Sequence, residues 1–167
     1  MSDDKTTEIL KSAILLEKRG RAFYQKIAEQ ASAKAVKEFF ELMAYEEVKH
    51  VQILVDQFKA YRQNGQFAAG DFTLDASASV VSKVMTQDLK SQISAADYEA
   101  AAIAAAMSME KNAIRLYTDR AAEAQDPNEK ALYEWLAQWE QQHLEFLAEI
   151  DRELTEEIWN DNNFWPL

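Results

Sequence analysis

Glu47-Val48-Lys49-His50 and Glu140-Gln141-Gln142-His143 contain the only two histidines of the chain, each three residues after a glutamate. Residues i and i+3 share one face of a helix, so each motif can aim a carboxylate oxygen and an imidazole nitrogen at the same ion. A further glutamate stands 30 residues ahead of each motif, Glu17 before Glu47 and Glu110 before Glu140. Four glutamates and two histidines in this pattern are the ligand inventory of a carboxylate-bridged di-metal centre, in which two helices give one Glu each and two give a Glu-x-x-His pair. Hard oxygens with one nitrogen per ion suit Fe(II), Fe(III) or Mn(II) better than a structural zinc, which favours cysteine and histidine. The charges balance too, four carboxylates against two divalent ions, whereas bare carboxylates in an apolar core would each cost several kcal/mol. Any one of the six alone would pass for a solvated glutamate or a bonded core histidine. The duplicated arrangement of all six carries the reading.

Helices must bring these residues level. Leu10, Ala13, Ile14, Tyr24, Ile27 and Ala28 recur at helical spacing with Glu17 inside their stripe, and Val36, Phe39, Phe40, Met43, Leu54 and Phe58 do the same around Glu47 and His50. Ile103, Met107, Ile114, Tyr117 and Ala121 flank Glu110, and Tyr133, Leu136, Leu144, Leu147 and Ile150 flank Glu140 and His143. The expected helices are about 7–31, 33–62, 95–124 and 127–154, with a crossover at 63–93, a short helix within it near 80–89, and a tail at 155–167. Two residues on adjacent antiparallel helices stand level only if the turn lies midway between them. Those midpoints fall at Ser32 and at Gln125-Asp126, where cap chemistry also puts the turns; Asp126-Pro127-Asn128-Glu129 supplies an N-cap, a first-position proline and an acidic third position. Ser94 with Asp97 is the expected cap of the third helix.

Advancing the first hairpin by 93 positions superimposes Ala13 on Ala106, Lys18 on Lys111, Tyr24 on Tyr117, Ala28 on Ala121, Lys37 on Lys130 and Glu41 on Glu134, besides the six candidate ligands. The chain is an internal duplication, and the long crossover lets the second hairpin return beside the first.

The remaining composition narrows the function. A length of 167 residues suits one domain, and three glycines and two prolines leave little punctuation for a β-meander, so the fold class is all-α. A formal charge of −11 argues against nucleic acid and anionic membrane surfaces as partners. With no cysteine, disulfides, thiol chemistry and iron–sulfur ligation are excluded. The N-terminus lacks the pattern of a signal peptide and no run approaches a membrane span, so a cytoplasmic location is expected.

These residues resemble the ferritin-like superfamily, and most closely a rubrerythrin-type protein reduced to its four-helix domain, from the first helix to about Leu154. The resemblance implies that Glu47 and Glu140 bridge two iron ions, with manganese as an alternative, that Glu17 and His50 complete one position, and that Glu110 and His143 complete the other. It implies a non-haem di-iron oxidoreductase that reduces hydrogen peroxide or O₂, with a ferroxidase or iron-handling protein and a di-manganese oxidase as alternatives. Rubrerythrins typically carry an extra glutamate one turn after the third-helix ligand, where this chain has Ala113. Val48 stands where bacterioferritin has its haem-ligating methionine, so haem is not implied. The cysteine-rich rubredoxin domain is absent, so electrons are expected from an external donor protein, and a homodimer is the expected assembly.

Four further features lie near the motifs. Tyr24 and Tyr117 each follow a terminal glutamate by seven residues, two helical turns, and are candidates to hydrogen-bond a ligand carboxylate or relay an electron, against the alternative of ordinary core tyrosines. Glu46, four residues before His50, is a candidate to orient that ring, although Trp139 holds the matching place in the second half. Trp135 and Trp139 read as core or interface. The tail through Ile158, Trp159, Phe164 and Trp165 is apolar enough to cover a groove or a subunit interface.

Overall fold

The computed structural model describes residues 2–72, 89 and 97–160. Four helices run in the order α1 (Ser2–Gln30), α2 (Lys34–Asn64), α3 (Asp97–Glu123) and α4 (Pro127–Asn160). Among the described residues there is no strand. α1 packs along α2 and α3 along α4 as two hairpins, and α1 also meets α3. The architecture is a ferritin-like four-helix bundle. Ser94 and nearly all of the expected crossover helix lie outside the described residues. Leu89 alone of that segment is described, as a fully buried helical residue.

The helix ends follow local chemistry. α2 stops at Gly65, whose φ of 68° is the left-handed conformation that glycine adopts without penalty, and its N–H bonds the Tyr61 carbonyl at 2.8 Å. Its N-cap is Ala33 rather than Ser32 and has no side-chain cap; the Lys37 N–H closes the first turn on the Ala33 carbonyl at 3.0 Å. α4 begins as its sequence foretells, with Asp126 Oδ1 accepting the Asn128 N–H at 2.8 Å. Glu129 does not reach back to the cap. It pairs instead with Arg120 at 2.6 Å and ties the end of α3 to the start of α4. At its other end α4 runs on to Asn160, six residues past the expected end at Leu154, so part of the expected tail is helix. Between Pro127 and Pro166 neither glycine nor proline interrupts the chain, and nothing there breaks the helix.

Asp126 also anchors the segment leaving α2. Its Oδ2 accepts the Phe67 N–H at 3.3 Å, and Asn128 Nδ2 donates to the Phe67 carbonyl at 3.2 Å. Gln57 clasps Ala68 with two further backbone bonds, of 3.0 and 3.1 Å. Asp126→Ala removes a helix cap and a tertiary acceptor together. It should cost about 2 kcal/mol, or roughly 4–8 °C in melting temperature for a chain of this size, measured by circular dichroism. A shift below about 1 °C would show that water replaces both bonds without loss.

The core forms two apolar layers. One gathers Ile27, Phe39, Phe40, Met43, Ile103, Leu147 and Ile150, and the other Leu10, Leu54, Phe67, Leu132, Tyr133 and Leu136. On every helix the candidate ligands fall in sequence between the residues given to one layer and those given to the other. The bundle therefore sandwiches a polar middle between two dry ends. None of the described helices is long and apolar enough to cross a membrane.

Candidate metal centre

Each helix brings its chemistry-bearing residues to the same level. Glu17 and Glu110 come singly from α1 and α3, Glu47 with His50 from α2, and Glu140 with His143 from α4. All six are at most 3% exposed, which for carboxylates demands charge compensation. Their donor atoms form two groups, Glu17, Glu47, His50 and Glu140 in one, and Glu47, Glu110, Glu140 and His143 in the other. Within each group the donor atoms lie within 4.8 Å of one another. Donors about 2.0–2.2 Å from a shared ion stand up to about 4.4 Å apart, so each group is near coordination size. Glu47 and Glu140 are common to both groups.

Both histidines present Nδ1 to the carboxylates. His50 Nδ1 lies 2.9 Å from Glu140, 3.2 Å from Glu17 and 3.5 Å from Glu47. His143 Nδ1 lies 3.3 Å from Glu140, 3.4 Å from Glu47 and 3.7 Å from Glu110. Yet His143 Nδ1 and Glu140 Oε1 are buried polar atoms with no hydrogen-bond partner among the described residues. Converging donors that fail to satisfy one another are what a missing cation would explain. Three carboxylates and one imidazole per group suit iron or manganese.

The charge pattern around these atoms is uneven. Burial, with Glu140 and Glu47 close by, holds Glu17 well above the usual carboxylate range, and burial with Glu140 does the same to Glu110. Glu140 is held well below that range against its burial, first by the charge of His50 and then by the ring nitrogens of both histidines close to its oxygens. Glu47 is lowered against burial and the repulsion of Glu140 by the closeness of the Glu17 carboxyl and of the His143 and His50 rings. Against burial, which lowers them, both histidines rise well above their usual value, His50 chiefly through Glu140, and His143 through the nearby carboxylates of Glu140, Glu46 and Glu47. Without metal, Glu17, Glu110, His50 and His143 thus favour holding protons while Glu47 and Glu140 favour the charged form.

The tyrosines reach across the bundle. Tyr24 of α1 donates its hydroxyl to Glu110 of α3, and Tyr117 of α3 donates to Glu17 of α1. Each hairpin thereby fixes the terminal carboxylate of the other. Burial and the adjacent glutamate push both phenols well above their ordinary value, so they stay protonated donors. Tyr24→Phe and Tyr117→Phe should each weaken metal binding by about 10-fold, as loss of a partner that orients a ligand does, read by metal titration. Unchanged values in both variants would reduce the tyrosines to core filling.

Glu46 is fully buried, and its Oε2 lies 2.9 Å from His143 Nε2, the ring atom turned away from the carboxylates. It therefore orients the histidine of the opposite hairpin, not His50 as the i−4 spacing suggests. Trp135 and Trp139 pack edge-on against His50, each with ring centroids 5.7 Å away. A cavity of about 20 Å³ reaches Glu17, Glu47, Glu110 and Glu140 past Gly20 and Ala113. A larger groove of about 440 Å³ lies on the outer face of α1 and α2, by Gln25, Lys37 and Tyr45, and none of the six candidate ligands lines it.

Searches of curated proteins and of solved structures return no match. A family model for rubrerythrin matches residues 8–151, a span that holds all six candidate ligands and both tyrosines. The chain belongs to the rubrerythrin family, a ferritin-like di-iron family.

Proposed function

We propose that this protein is a di-iron oxidoreductase that reduces hydrogen peroxide with electrons from an external donor protein. The observation that carries the reading is the pair of buried donor groups sharing Glu47 and Glu140. When bound there, two ferrous ions would supply one electron each, enough with two protons to split hydrogen peroxide into two waters. Glu47 and Glu140 would bridge the ions, Glu17 with His50 and Glu110 with His143 would complete the two positions, and Tyr24 and Tyr117 would hold the terminal carboxylates in place.

The cavity at the glutamates supports a small substrate. Its volume of about 20 Å³ holds little more than one water, which needs about 10–15 Å³ of such space. Peroxide or O₂ suits that size after small side-chain adjustments, whereas a hydroxylase would need a substrate-sized apolar pocket beside the ions. Gly20 and Ala113 keep this opening: they occupy matching places in the two halves, and a Cβ on Gly20 would stand 3.6 Å from the Glu47 carboxyl carbon.

One observation favours ferroxidase chemistry as a second reading. Position 113, where rubrerythrins typically have an extra carboxylate, is a buried alanine, and the symmetric set that remains resembles the bacterioferritin site. Anaerobic reconstitution with Fe(II), elemental analysis, and stopped-flow absorbance with hydrogen peroxide and O₂ in separate experiments decide between them. Two irons per chain and faster oxidation by peroxide support the reductase. Faster reaction with O₂ and iron uptake beyond two per chain support the ferroxidase. No stoichiometric iron would sink both.

A further inference from the structure

The duplicated halves match at every candidate ligand and at the tyrosines, but they part at the residues behind the two imidazoles. Glu46 and Leu42 of α2 correspond, 93 positions on, to Trp139 and Trp135 of α4. His143 Nε2 accordingly faces a buried carboxyl oxygen at 2.9 Å, while His50 is walled by two indoles. The difference is chemical and not merely steric. A carboxyl oxygen accepts the Nε2–H, which fixes the ring and commits Nδ1 to the metal side. An indole N–H only donates, and the buried Nε1 of Trp139 itself has no partner among the described residues, so it cannot perform that service for His50.

We propose that Glu46 is a positioning residue that makes the two metal positions unequal: the position completed by Glu110 and His143 binds a divalent ion more tightly than the one completed by Glu17 and His50, and fills first. The inference rests on the di-metal reading above. Glu47 and Glu140 serve both positions alike, and each terminal glutamate has its own tyrosine donor, so neither can create the imbalance. What remains different at the ligands is the support behind each histidine. A partner that orients a metal-bound imidazole is worth about 10–100-fold in affinity.

Two single-position variants isolate the effect, with Co(II) as a probe that air does not readily oxidise. Glu17→Ala leaves the His143 position complete, and Glu110→Ala leaves the His50 position complete; each variant loses one tyrosine acceptor, so the pair is matched. Calorimetric titration should show Co(II) bound about 10–100-fold more tightly by Glu17→Ala than by Glu110→Ala. Adding Glu46→Ala should erase that advantage in the first background and change affinity less than about 3-fold in the second, while Glu46→Gln, whose carbonyl oxygen still accepts Nε2–H, should restore part of it. Equal affinities in the two single-position variants, or an equal loss from Glu46→Ala in both backgrounds, overturn the proposal. Should Glu46→Ala fail to fold by circular dichroism, the comparison of Glu17→Ala with Glu110→Ala still decides. If the unaltered protein binds no Co(II), the di-metal reading falls and this inference with it.

Discussion

Two bound divalent ions should raise the melting temperature by about 10–20 °C at pH 8 and by clearly less near pH 5.5. Each ion held at about 100 times its dissociation constant adds about 2.7 kcal/mol, and each kcal/mol moves the midpoint of a chain this size by about 2–4 °C. The pH dependence has opposite signs with and without metal. Without metal, Glu17, Glu110, His50 and His143 all have folded-state values raised above their ordinary ones, so the folded chain holds more protons than the unfolded chain. That contribution is fully present below the ordinary values and is lost as pH rises through the raised ones. Glu47 and Glu140 are depressed, so their contribution exists above the ordinary carboxylate range and is lost as pH falls through their lowered values. Metal-free protein should therefore be most stable in mild acid and should weaken towards pH 8. Loaded protein gains in the same interval, because ions displace about four protons from these groups. Thermal melts with Mn(II) or with chelator at pH 5.5, 7 and 8 test both limbs. A metal-free midpoint that climbs from pH 5.5 to 8 would refute the protonation pattern.

Glu140→Ala should be the most damaging single substitution at the centre. Glu140 belongs to both donor groups and Glu17 to only one. Metal content under stoichiometric loading should fall from two ions to near zero in Glu140→Ala, and to about one in Glu17→Ala. Peroxide-driven oxidation in Glu140→Ala should drop at least 100-fold, the upper end of what losing a mere outer partner costs. The metal-free proteins should diverge as well. Removing Glu140 takes away the carboxylate that offsets two buried histidines, a loss of about 3–5 kcal/mol for a broken buried pair, whereas removing Glu17 deletes a carboxyl that burial already keeps protonated. Elemental analysis, stopped-flow absorbance and chelator-treated melts read the three effects. Retention of two ions by Glu140→Ala would deny it a bridging role.

The sequence made the arrangement of the centre legible because its information is periodic: i, i+3 pairs, a repeated interval of 30 residues, and turns at the midpoints. Helical periodicity says which face of a helix a residue occupies, not which neighbouring helix that face meets. Spacing therefore pairs Glu46 with His50 on its own helix, although the packing carries it to His143. The crossing of Tyr24 to Glu110 and of Tyr117 to Glu17 escaped for the same reason, since spacing along one helix specifies only a distance from Glu17 or Glu110. The asymmetry between Glu46 and Trp139 was visible as a mismatch in the repeat, but its meaning needed the rings in place. Helix ends were missed where chemistry is weak: Ala33 caps α2 with no side chain, and α4 continues beyond its last clear apolar repeat because no residue stops it.

Tyrosines bonded to the glutamate of the opposite hairpin, and donor groups that each borrow from both hairpins, impose an order of assembly. A chain in which only α1 and α2 have paired presents Glu17, Glu47 and His50, and lacks both Glu140 and the Tyr117 hydroxyl that secures Glu17. The second hairpin alone is short of Glu47 and Tyr24 in the same way. Neither half is a finished vessel for an ion. Both donor groups are complete only when the two hairpins meet, and the two apolar layers above and below the centre, each drawn from both hairpins, need the same meeting. Under the proposed function, redox-active iron would thus enter a shielded chamber rather than an open, half-made chain that it could damage.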